Sequence, residues 1–226
     1  FSQNLQNPWR DVPERDFAKK NQLRLIGPQK YRTLSLDMAM LDGILAEAPM
    51  RFSQAAEGEK NLLSIPMPDG GFQQFELVEA PIMHPDLAAR YPYIRSFAGT
   101  SADDPTAYLR CGVTQKGFHA VVFSARHSTV YIDAFAEGDA EHYISYFKKD
   151  FQKTASFECL TDELAENQLK PGGQGGGQPE MAGDCKMRTY MLALACTGEY
   201  AQFHGGTVPL VMAAYNVAMT RVTGVY

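Results

Sequence analysis

Apolar residues fall into two rhythms along this chain. Between residues 60 and 150 they come in short runs rich in aromatic and β-branched side chains, broken by Gly, Pro, Asp and Ser. Tyr93–Ala98, Ala107–Val113, Phe118–Ser124 and Thr129–Phe135 are separated by Asp103-Asp104-Pro105, Gln115-Lys116-Gly117 and Ala125-Arg126-His127-Ser128. Runs of this composition with such short connections predict an antiparallel meander. Tyr143–Phe147 reads as a further strand or a helical turn. Upstream, Leu62–Met67 and Phe72–Val78 flank Pro68-Asp69-Gly70-Gly71, which is turn chemistry between two β-rich runs and predicts a hairpin. A short strand from Thr33 leads into a helix over Met38–Glu47, with Asp37 as its cap and Pro49 closing it. His84–Arg90 fits one or two helical turns.

The second rhythm is at the C-terminal end. Arg188–Cys196 is a short apolar run with polar flanks, the pattern of a strand buried on both faces. Thr197–Gly206 reads as a connection, and then a helix begins, with Thr207 as N-cap and Pro209 in the first turn. Val211, Met212, Tyr215, Met219 and Val222 recur at helical spacing and predict its buried face. Strand, connection and helix make two thirds of a βαβ unit, which needs another parallel strand. None follows before Tyr226, so the unit is expected to be completed by other polypeptide.

Residues 1–30 are polar and punctuated by proline, and read as a leader that docks through Trp9 and Phe17. Pro171-Gly-Gly-Gln-Gly-Gly-Gly-Gln-Pro179 is a low-complexity tract that reads as a linker open to proteolysis. It lacks the Gly-Lys-Ser/Thr ending and the strand–helix setting of a phosphate-binding loop.

Composition narrows the function. At 226 residues and 45% hydrophobic, the chain is long and apolar enough to bury a core. A net charge of −5 argues against nucleic acid or an anionic membrane as partner, because both need a basic field. The first residue is Phe1, which suggests a removed signal peptide and a secreted protein. Cys111, Cys159, Cys185 and Cys196 show no C-x-x-C spacing, which speaks against a zinc ribbon or a thioredoxin-type site.

The stretches Arg188-Thr-Tyr190, Ala193-Leu-Ala-Cys-Thr-Gly-Glu-Tyr200, His204-Gly-Gly-Thr207 and Thr220-Arg-Val-Thr-Gly-Val-Tyr226 together resemble the opening of the catalytic domain in reprolysin-type zinc metalloproteases. These are members of the metzincin clan found among secreted bacterial proteins. Upstream, Tyr31-Arg-Thr-Leu-Ser-Leu-Asp37, Leu45-Ala-Glu-Ala-Pro49, Ile65-Pro-Met-Pro-Asp-Gly70, Tyr91-Pro-Tyr-Ile94, Asp103-Asp-Pro105 and Gly117-Phe-His-Ala120 are similar to the N-terminal pro-region of the same proteins. The resemblance implies an α+β chain: a polar leader (1–30), an antiparallel β-rich pro-domain with a few short helices (31–165), a Gly-rich activation segment (166–187), and a strand and helix that open an α/β catalytic domain (188–226). It implies zinc in the parent protein and the rest of the catalytic domain as partner. The chain departs from the family in lacking His-Glu-x-x-His. Its five histidines, His84, His119, His127, His142 and His204, contain no i, i+4 pair, so alone it is expected to be inactive.

Latency and activation supply the candidate site residues. In some metzincin zymogens a pro-region cysteine within Arg-Cys-Gly-Val ligates the catalytic zinc, and Arg110-Cys111-Gly112-Val113 matches that pattern. Two readings of Cys111 stay open: a zinc-blocking thiolate, or a small apolar residue on a strand with Gly112 at a bulge. Other zymogens use an aspartate, which makes Asp103 and Asp104 the alternatives; the competing reading is a turn whose carboxylates cap backbone N–H groups. Lys170, Lys186 and Arg188 bracket the glycine tract and are the activation-cleavage candidates. Cys159 and Cys185 flank the same segment and form the disulfide candidate in an exported protein; four free thiols in a reducing compartment are the alternative. His119 reads as a core histidine, and Glu199 and His204 as structural. A stand-alone β-rich binding or protease-inhibitor module is the alternative function. A hydrolase built on His119 or His84 is weaker, because no nucleophile is paired with a base and there is no Gly-x-Ser-x-Gly elbow.

Overall fold

In a computed structural model of the chain, residues 7–19, 22–58, 60–152 and 190–225 are described. They form an α+β fold dominated by one nine-stranded antiparallel sheet with a few short helices. Lys170, Lys186, Arg188, Cys159, Cys185 and the glycine tract lie outside the described residues.

The leader supplies β1 (Trp9–Asp11) and α1 (Glu14–Phe17). β2 (Arg32–Leu36) runs into α2 (Met38–Ala46), where the Asp37 carboxylate accepts from the Met40 N–H at 3.0 Å as an N-cap. β3 (Leu62–Pro66) and β4 (Phe72–Glu79) form the expected hairpin, with Gly70 and Gly71 both at positive φ in the turn. After α3 (Pro85–Arg90), the meander follows as β5 (Arg95–Ser101), β6 (Tyr108–Thr114), β7 (Gly117–Phe123), β8 (Val130–Ala134) and β9 (His142–Phe147). The sheet order is β1-β2-β9-β8-β7-β6-β5-β4-β3, so the leader and β2 add on to the last strand of the meander.

The sheet curls until its margins meet. Trp9 Nε1 on β1 donates to the Ser64 carbonyl on β3 at 2.9 Å, and Ser145 Oγ on β9 donates to the Pro66 carbonyl at 2.7 Å. Arg32 grips Asp11 through two nitrogens, at 2.6 and 2.8 Å, and extends Nη1 to the Gly71 carbonyl at 2.6 Å. Alternation along each strand then sends one set of side chains inward: Leu34, Ile65, Phe75, Phe97, Leu109, Val122, Ile132 and Tyr143 are all fully buried in one cluster. Leu41, Ile44 and Leu45 from α2 complete that cluster.

The outer face has two covers. Phe17 stacks on His142 with centroids 4.0 Å apart and meets Phe135 edge-on, so the leader does dock through Trp9 and Phe17. Across β6 and β7 lies α5 (Val208–Val222), preceded by α4 (Gly198–Phe203). The described residues 7–152 and 198–225 belong to one compact unit, to which 190–197 do not belong.

Two expectations are corrected. Tyr190–Cys196, the described part of the Arg188–Cys196 run, forms no strand and is exposed throughout. A strand buried on both faces needs hydrogen-bonding neighbours at its edges, and none of the described strands pairs with this run. The buried side of α5 is Val211, Ala213, Ala214, Asn216 and Thr220, whereas Met212, Tyr215 and Met219 are half-buried and Val222 is exposed. The sheet face beneath the helix mixes polar Ser96, Arg110 and His119 with apolar Val121 and Phe123, and it is met by small and polar side chains as well as Val211. Among the described residues no helix is long and apolar enough to cross a membrane.

The curl makes a prediction. Replacing Trp9 by Ala removes a buried aromatic and its cross-margin hydrogen bond, and is expected to cost about 3–5 kcal/mol in urea unfolding. A loss below about 1 kcal/mol would show that Trp9 does not hold the margins together.

Candidate functional site

The polar side chains that the sequence leaves unexplained gather beneath α5. β6 and β7 pair with Gly112 opposite His119, and β5 places Ser96 opposite Gly112, so Ser96, Gly112 and His119 form a row across three strands. Gly112 is in continuous register with both neighbours and is not a bulge. A Cβ there would lie 2.8 Å from His119 Cε1 and 2.9 Å from the Arg95 carbonyl oxygen, so the glycine makes room for the imidazole.

α5 closes over this row. Asn216 Nδ2 donates to Ser96 Oγ at 2.8 Å, and His119 Nε2 lies 3.3 Å from Thr220 Oγ1. The Thr220 hydroxyl donates its proton to the Asn216 carbonyl at 2.7 Å, so toward His119 its oxygen can only accept. Nε2 is therefore the protonated ring nitrogen. Nδ1 carries the lone pair, buried and with no hydrogen-bond partner. Burial, reinforced by the Arg221 charge, pushes the His119 pKa down to about 3. Arg221 pairs with Asp133, and the same carboxylate accepts from the Tyr146 hydroxyl at 2.9 Å. Burial, with the Asp133 charge behind it, raises the Tyr146 phenol far above its ordinary range. Arg110 extends Nη2 to the Thr223 carbonyl at 3.4 Å, a cation placed at the C-terminal end of α5.

A cavity of about 200 Å³ adjoins this seam. Ile82, Met83 and Ile94 line it, and Ser96 and Asn216 belong to both cavity and seam. Glu79 and Arg95 on its wall neutralise each other through hydrogen bonds of 2.8 and 3.0 Å.

The predicted site residues are not brought together. Cys111 lies on the inner face of β6, fully buried, and burial raises its thiol well above the ordinary range. Arg110-Cys111-Gly112-Val113 is thus split by the strand's alternation: Cys111 faces the core, while Arg110 and Gly112 face α5. A thiolate at Cys111 reaches a partner's metal only if the sheet opens. Asp104 is buried in its turn, where it accepts from Thr106 N (3.0 Å), Thr106 Oγ1 (2.7 Å) and Ser124 Oγ (2.8 Å). Burial works against its charge, but these hydrogen bonds and the Arg126 guanidinium outweigh it and hold the carboxyl below the usual range. Asp103 is exposed, its backbone N–H bonded to Ser101 Oγ at 3.1 Å.

His84 caps α3 by accepting from the Asp86 N–H at 3.4 Å, far in sequence and setting from His119. His204 packs against Tyr200 with ring centroids 4.4 Å apart. Among the described residues no three His, Cys, Asp or Glu side chains are grouped to hold a metal ion. The seam itself was missed by sequence reasoning. Its one signal was the outward parity of Arg110, His119 and Asp133 on neighbouring strands, which shows only once the pairing is known. No family model, no curated protein and no solved structure matches this chain.

Two outcomes follow from burial. His119 binds its proton more weakly folded than unfolded, so stability is complete above about pH 6.5 and falls as pH drops from there toward about 3. The slope is up to about 1.4 kcal/mol per pH unit, and His119→Gln should flatten it in acid-range urea titrations; an unchanged slope would show that His119 titrates normally. In mass-spectrometric mapping after alkylation of the native chain, Cys196, which is exposed, should be modified and Cys111 protected. Equal labelling of both would contradict the placement of Cys111.

Proposed function

We propose that the chain is the latency and folding segment of a secreted zinc metalloendopeptidase precursor, joined to the strand and helix that open the protease body. The observation that carries this reading is the state of Tyr190–Cys196. Met191 is 91% exposed and Leu192 65%, in a run with strand composition that forms no ladder among the described residues. Exposed apolar stretches of this kind mark a surface made for a partner. α5 supports the same reading, because of the five apolar positions its spacing picks out only Val211 is buried, and Phe203, Val208 and Val222 are exposed.

On this reading the β-rich unit covers the substrate cleft of the protease body, and the zinc is held by that body. Of the three latency candidates, Asp103 alone has its side chain at the surface, so it is the group that would occupy the open zinc position. Cleavage near the glycine tract, at Lys170, Lys186 or Arg188, would then release the cover.

A stand-alone β-rich binding or inhibitor module is the second reading, and α5 favours it by packing on the chain's own sheet. Capture of the native protein from its source, followed by intact mass and zinc analysis, separates the two. The precursor reading expects zinc in stoichiometric amount on a polypeptide continuous with, or bound to, this chain. A single zinc-free species of 25.0 kDa would contradict it. In the complete precursor, Asp103→Asn should raise basal peptidase activity about tenfold or more, as loss of a charged metal ligand does; no rise would remove Asp103 from the mechanism.

A further inference from the structure

We infer that the outer face of β5 to β8 is a sequence-specific receptor for the α4–α5 segment, one that goes on holding it after the chain between residues 152 and 198 has been cut. This goes beyond the proposed function, because the contact lies among the described residues of one compact unit and needs neither zinc nor a protease body. Under that reading it adds a second step to release: once the connection is cut, the cover comes free where dilution opens the seam.

The sheet has what a receptor needs, a core built without its ligand. Neither the enclosed cluster nor the aromatic cluster around Phe135 and Tyr146 contains a residue beyond 152. The nine-stranded ladder is complete at Phe147, and α5 shares no ladder with it. The match between helix and sheet is particular in sequence. Ala213 and Thr220 are fully buried and Asn216 is 3% exposed, at spacings of three and four that set them on one stripe. Asn216 bonds to Ser96, Thr220 lies against His119, Arg221 pairs with Asp133, and the Thr223 carbonyl accepts from Arg110. Gly224 lets the chain pass close beyond the helix, because a Cβ there would run into the Phe123 ring and lie 3.3 Å from Arg110 Cγ. Moving α5 along its axis by one turn, about 5.4 Å, would break every one of these links. The footprint is one helix of 15 residues, which belongs with small, transient interfaces. In the intact chain the connection presents α5 at an effective concentration on the order of a millimolar, enough to keep such a seam closed. After a cut, the same seam stays closed only above its own dissociation constant.

The test uses the full chain with the recognition sequence of a site-specific protease in place of Pro171–Pro179. The chain is cut under reducing conditions, so that no Cys159–Cys185 bridge joins the pieces, and run on size exclusion at a series of concentrations. Mass spectrometry identifies the pieces, and Trp9 fluorescence reports whether the sheet stays folded. The two pieces should migrate together when concentrated and separate on dilution, with a midpoint on the order of 10 µM. Ala213→Glu places a charge at a fully buried position, and Arg221→Ala leaves Asp133 buried without its cation; each should raise the midpoint about tenfold or more. Val222→Ser, at a position 43% exposed, should leave it within about twofold. The inference is overturned if cutting unfolds the sheet, if the pieces separate at every concentration, if no dilution separates them, or if Val222→Ser weakens their association as much as Ala213→Glu does. No zinc enters the experiment, so its outcome is independent of the zinc analysis that tests the precursor reading.

Discussion

One antiparallel sheet with two faces to hide is the constraint on which the rest of this structure depends. A flat nine-stranded sheet would leave two open edges and need two complete covering layers. Curling resolves most of this. It turns one face into an enclosed core, where residues from all nine strands meet α2, and it brings the β1 and β3 margins together. Among the described residues no backbone ladder joins those margins; Trp9, Arg32 and Ser145 span them with side-chain hydrogen bonds to main-chain carbonyls. The leader is therefore part of the fold, since Trp9 belongs to it.

The outer face remains to be covered, and its two covers differ in kind. On β8 and β9 the cover is aromatic: Phe17 and Ile26 pack with Phe135, Ile144 and Tyr146. On β5 to β7 it is mixed: α5 meets Ser96, Arg110 and His119 with Asn216, Thr220 and the helix C-terminus, beside the buried Val121, Val211, Ala213 and Ala214. Four buried atoms along this second contact, Arg110 Nε, His119 Nδ1, Asn216 Oδ1 and Arg221 Nε, have no hydrogen-bond partner. Such groups make an interface weaker for its area than an apolar one. A helix held this way, following an exposed apolar run, suits a segment with a second place to go.

Much of the fold was legible from local chemistry. Pro68-Asp69-Gly70-Gly71 specifies its hairpin, Asp37 its helix, and the aromatic runs their meander, because turn and cap preferences act within a few residues. The curl was not legible, since it depends on which distant strands become neighbours. The α5 periodicity correctly predicted a helix but not the face it buries: spacing reveals an apolar side, while the surface available decides whether that side is used. The same limit explains Cys111. Four residues read as one motif are divided by strand alternation into a core thiol and two outward positions, and only the pairing with β7 shows that Gly112 exists to make room for His119.

The proposal most in need of a test is that Tyr190–Cys196 and the helix after it open a protease body beyond this chain. Hydrogen exchange followed by mass spectrometry, comparing peptides over Tyr190–Cys196 in the isolated chain and in the complete native precursor, tests it most directly. The account predicts rapid exchange of this run in the isolated chain and strong protection in the precursor, where it gains strand neighbours. Rapid exchange in both, with α5 as protected as β6 and β7 throughout, would contradict it.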